Sequence, residues 1–108
     1  MMGFDQHQKT TSLLFARALA DRDYAAPHTI CSSEYRSRFD ADFLAREIEE
    51  FVPHDLGEID PIELVEYGGF PFIYIHLGGD VYSEAIVINS FVNENGQLKI
   101  ASFEFGRP

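Results

Sequence analysis

The stretch "VYSEAIVINSFVNENGQLKIASFEF", residues 81–105, decides the fold. Two runs rich in Ile, Val and Phe flank "NENG", and Asn-Gly favours a tight two-residue hairpin because both turn positions need positive φ. Upstream, "IELVEY" and "FPFIYIHL" share that character and are set off by "GGF" and "GGD". Short turns between such runs predict an antiparallel meander.

The runs do not alternate between apolar and polar residues. Residues 70–77 place Phe70, Phe72, Tyr74 and His76 on one face and Pro71, Ile73, Ile75 and Leu77 on the other. Strict alternation through 81–92 sets Tyr82, Ile86, Ile88 and Val92 against Val81, Ala85, Val87 and Phe91. A sheet with one wet face carries polar residues at every second position, so both faces are expected to be covered. Helices can cover one; a second copy of the chain is the simplest cover for the other, which predicts a homodimer through the sheet.

The helices come first. Asp5 and Gln8 match a capping box, and Thr11, Leu14, Phe15 and Ala18 then share a helical face, predicting a helix over about residues 5–20. Asp23 caps a short second helix, about 24–32, in which Pro27 is tolerable only near the first turn. "SSEYRSRFDAD" reads as polar and turn-prone. Asp40 caps a third helix whose Leu44, Ile48, Phe51 and Val52 follow i, i+4, i+7, i+8 spacing until Pro53. In the stretch between, Ala25, Ala26, Ile30 and Cys31 read as a packed underside. Tyr35 and Phe39 are expected to dip inward beside exposed Arg36 and Arg38.

At 108 residues the chain is expected to form a single domain, 1–108. Its net charge of −10 repels phosphate backbones and anionic lipids, so neither nucleic acid nor a membrane is an expected partner. The acidic surface serves solubility, or meets a basic partner protein. "MMGFDQHQKTTSLLF" has neither a basic leader nor a sustained apolar run, which predicts no signal peptide. A lone cysteine, Cys31, cannot form an internal disulfide and fits a reducing cytoplasm.

Helices followed by an antiparallel meander, in about a hundred residues, resemble the NTF2-like (cystatin-like α+β) superfamily and its SnoaL-like bacterial branch. The carrying residues are "FARALADRDYAAPHTICSSEYRSRF", "DADFLAREIEEFV" and the closing "VNENGQLKIASFEFGRP". Pro27 departs from the helix former usual at its position. The resemblance implies a cone of helices over a curved sheet, enclosing a pocket. Its members include isomerases, dehydratases and cyclases as well as many non-catalytic binding proteins, so activity must be argued from residues.

A general base in such a pocket would be a carboxylate, Glu84 or Glu104, assisted by Tyr74 or His76. The competing reading is that both carboxylates sit solvated near strand ends. His76 with Asp80, or His54 with Asp55, could touch a metal, but no third ligand stands at a useful spacing, and no metal or other cofactor is expected. Cys31 and His28 have the helical spacing of a thiolate–imidazole pair, yet no orienting residue accompanies them, which favours a structural thiol. The residues therefore favour a non-catalytic domain that binds a protein partner or a small apolar ligand. A small-molecule isomerase, dehydratase or cyclase is the alternative. The fold that the chain resembles implies a pocket between residues 24–52 and the inner sheet face, with polar atoms from a subset of Tyr35, Tyr74, His76, Asn89 and Glu104, not all of which can point inward.

Overall fold

A computed structural model describes residues 5–53, 59, 62–65, 72–78 and 83–106. Four helices precede four strands: α1 Gln6–Ala20, α2 Ala25–Ile30, α3 Ser33–Arg38, α4 Ala41–Phe51, β1 Ile62–Val65, β2 Ile73–Gly78, β3 Ser83–Glu94 and β4 Gln97–Gly106. The strands form one antiparallel sheet in the order β1-β2-β3-β4, giving an α+β fold.

Local chemistry starts each long helix. The Asp5 carboxylate accepts from the Gln8 N–H at 2.7 Å, and the Gln8 side chain accepts from the Asp5 N–H at 2.9 Å. Asp40 accepts from the Phe43 N–H at 2.8 Å and starts α4. The buried stripe of α1 is Thr11, Ser12, Phe15, Ala16 and Leu19. Leu14 falls outside it, 57% exposed, contrary to the expected face. α3 lies in the stretch read as polar and turn-prone, where no helix was expected; Ser32 caps it, accepting from the Tyr35 N–H at 3.2 Å. The Ser32 N–H also donates to the Ile100 carbonyl at 2.9 Å, so the start of α3 lies against β4. Ala25 and Ala26 are exposed, and Pro27 takes the buried position in α2.

One sheet face packs on the helices through Ile73, Ile75, Leu77, Ile86, Ile88 and Ile100, which meet Phe15, Leu19, Leu44, Ile48 and Val52 in the core. Phe51 completes the expected α4 stripe from a half-buried position. Tyr74 pairs with Val87 and His76 with Ala85 between these inward residues, so they belong to the outer face. Asn95 and Gly96, at φ 52° and 81°, close the expected hairpin.

Alternation in that hairpin breaks where the register between β3 and β4 shifts around Ser90. Ile88 pairs with Phe103 and Phe91 with Ile100, three residues apart on each strand. The shift turns Phe91 to the inner face with Ile88 and leaves Val92 38% exposed, reversing the face assignment expected beyond residue 89. The hydroxyls of Ser90 and Ser102 lie 2.6 Å apart across it. Phe70, Pro71, Val81 and Tyr82 lie outside the described residues. Among the described residues no helix is long and apolar enough to cross a membrane.

Candidate functional site

The cap at Ser32 and its bond to β4 place Tyr35, in the first turn of α3, over the inner sheet face. Its ring centroid is 5.4 Å from that of Phe103, 5.1 Å from Phe39 and 6.2 Å from His28. Phe39 stacks on Phe43 at 4.5 Å. On the other side Phe103 meets Phe15 at 4.9 Å and Phe105 at 5.7 Å, and Phe105 meets Phe51 at 5.4 Å. A row of rings thus leaves the start of α4, crosses α3 and β4, and returns to the end of α4. The guanidinium groups of Arg38 and Arg46 lie over Phe39 and Phe43 at one end of it, 5.9 and 6.0 Å from the ring centroids.

Within this row the Tyr35 hydroxyl is buried and, among the described residues, has no hydrogen-bond partner. Burial pushes the phenol pKa well up, and Cys31, Glu47 and Asp40 act electrostatically in the same direction. At neutral pH Tyr35 is therefore an uncharged donor in surroundings biased against anions.

The neighbouring groups have other engagements. The Nε2–H of His28 donates to the Phe39 carbonyl at 2.8 Å and joins α2 to the end of α3. The Cys31 thiol faces the Pro27 carbonyl at 3.4 Å, and burial pushes its pKa up to about 12. The thiolate–imidazole pair is not built, and the thiol is a core group.

The other candidates lie elsewhere. Tyr74 and His76 are on the outer sheet face, and so is Glu104, which pairs with Val87 and is exposed. Asn89 is exposed beside the register shift. Glu84 was expected either as a base or as a solvated rim residue. It is buried at 5% exposure on the inner face, opposite Leu77. That places it along β3 from the Ile88–Phe103 rung beside Tyr35, about 13 Å away at strand spacing. Carboxylate and phenol do not meet. Among the described residues no group of three His, Cys, Asp or Glu could hold a metal ion; His54, Asp55 and Asp80 lie outside those residues.

A second polar cluster escaped the sequence reading. Arg22, at φ 63°, donates from Nη1 to Glu49 and to the Val52 carbonyl, both at 2.8 Å, and the Tyr24 hydroxyl donates to the same carboxylate oxygen at 3.1 Å. It ties the α1–α2 turn to the end of α4. No local pattern announces a contact across that much chain, whereas Ser32 ahead of Tyr35 was a readable cap signal. Comparison with protein-family models, with characterised proteins and with solved structures finds no match to this chain.

Proposed function

We propose that this chain is a non-catalytic binding domain, and that it takes a small, largely aromatic ligand with one neutral hydrogen-bond acceptor beside Tyr35. The Tyr35 hydroxyl carries the proposal. Leaving a buried donor unsatisfied costs about 1–3 kcal/mol, which a ligand carbonyl would recover. The rings of Phe39 and Phe103 suit a flat apolar body, and the field of Asp40 and Glu47 disfavours an acidic one. The separation of Glu84 and Glu104 from the phenol supports binding without turnover, since general acid–base catalysis needs both groups at one substrate position. The resemblance to the NTF2-like superfamily belongs to the same reading, because that architecture would hold its ligand on this side of the sheet.

Acetophenone and ethylbenzene test it, since they differ mainly in the carbonyl. The ketone should bind about tenfold tighter by ligand-observed NMR, and Tyr35→Phe should abolish that preference. The unliganded Tyr35→Phe protein should be as stable as the parent or more so. Equal binding of the two probes by the parent, no binding at millimolar concentration, or destabilisation by Tyr35→Phe would each overturn the proposal.

A further inference from the structure

The outer sheet face presents two ranks of side chains running straight across the strands. One is Val65, Tyr74, Val87 and Glu104; the next is Glu63, His76, Ala85 and Gly106. Glu63 and Glu104 are exposed and occupy diagonally opposite corners, while Val65, Tyr74, His76 and Val87 between them are half-buried. Ala85 in the middle of this face is itself buried; the half-buried side chains around it leave part of their apolar and aromatic surface accessible, and the corners offer negative charge.

We infer that this face docks a basic amphipathic helix of a partner protein. Strand and residue spacings put the Cα atoms of Glu63 and Glu104 about 16 Å apart. An α-helix covers that distance in about 11 residues, which is about three turns and so returns to the same face. The matching ligand has Lys or Arg at positions i and i+11, over the two carboxylates. It has large apolar residues at i+4, where the diagonal crosses β2 between His76 and Tyr74, and at i+7, beside Val87. A second copy of the chain fits less well, because it brings its own Glu63 and Glu104 and another ten negative charges to the contact.

The inference does not depend on the Tyr35 site and is tested apart from it. The probe is a labelled helical peptide with Lys at i and i+11 and Leu at i+4 and i+7, titrated against the whole chain by fluorescence anisotropy at low salt. It should bind, and added salt should weaken it. The double substitution Glu63→Lys and Glu104→Lys, at exposed positions, should weaken it about tenfold, and a peptide with Glu at i and i+11 should recover binding to that variant. Three results would each overturn the inference. They are no binding of the Lys peptide, binding indifferent to the two carboxylates, and a dimer in sedimentation that Tyr74→Lys dissociates. The last would assign the face to a second copy of the chain.

Discussion

The Glu94 carboxylate accepts hydrogen bonds from both the backbone N–H and the hydroxyl of Ser33, each at 2.9 Å. Glu94 immediately precedes the β3–β4 turn, and Ser33 opens α3. Arg36 adds a longer contact to the same carboxylate at 3.5 Å, and Lys99 of the hairpin donates to the Thr29 carbonyl in α2 at 2.7 Å. The tip of the long hairpin is thereby fastened to the two shortest helices, neither of which could persist alone in water.

This fastening makes stability depend on acid. The Ser33 backbone N–H above all holds the Glu94 pKa below its ordinary 4.5; desolvation, next in size, opposes it, and the Ser33 hydroxyl, Arg36 and Lys99 add to the lowering. The group's contribution is complete above the unfolded value and is lost as pH falls through the lowered folded value. Glu94→Gln should lower the urea midpoint at pH 7, with the gap from the parent closing as both are titrated into acid. A pH-independent gap would exclude a charge effect.

Neighbouring positions on β3 should respond in opposite ways to charge. Ile88 is fully buried on the inner face, and Val87 is half-buried on the outer. Ile88→Lys should abolish the cooperative urea transition, since an unpaired ammonium among aliphatic side chains has no partner. Val87→Lys should keep both the transition and the far-UV circular dichroism. A folded Ile88→Lys protein would mean that the face assignment of β3 is wrong.

Arg22 reverses the usual ranking of alanine and glycine. Either replacement loses the bonds to Glu49 and the Val52 carbonyl, but only glycine relieves the left-handed backbone at φ 63°. Arg22→Gly should therefore be more stable than Arg22→Ala by about 1 kcal/mol in chemical denaturation. The opposite order would show that the turn relaxes to negative φ once the guanidinium is gone.

Features fixed by neighbouring residues were legible in the sequence. Asp5 with Gln8, Asp40 ahead of Leu44 and Ile48, and Asn95–Gly96 each carry their own instruction, and each is realised. α3 was legible only at its Ser32 cap: its six residues, "SEYRSR", have no apolar period, and the Ser32 N–H bonds the Ile100 carbonyl in a distant strand. Leu14 and Ser12 exchange the burial that hydrophobicity alone assigns them, because the crossing of α1 over the sheet is set by the whole core. Tyr35 was read as inward-facing, and it is. Which of Tyr74, His76 and Glu104 would join it was left open, because pairing register is invisible in one strand's sequence; the register places all three on the other side.

The register shift in the hairpin has a consequence for how the chain tolerates insertions and deletions. Since β3 and β4 each spend one extra residue between inward-facing positions, their tips stay in phase with each other. Removing Ser90 alone or Ser102 alone would throw the outer half of the hairpin out of step, turning Phe91 or Ile100 away from the helices. Removing both would restore plain alternation on each strand. The double deletion should therefore fold where either single deletion does not. Length changes in this hairpin are neutral only as matched pairs, so the two strands constrain each other's length as well as each other's residues.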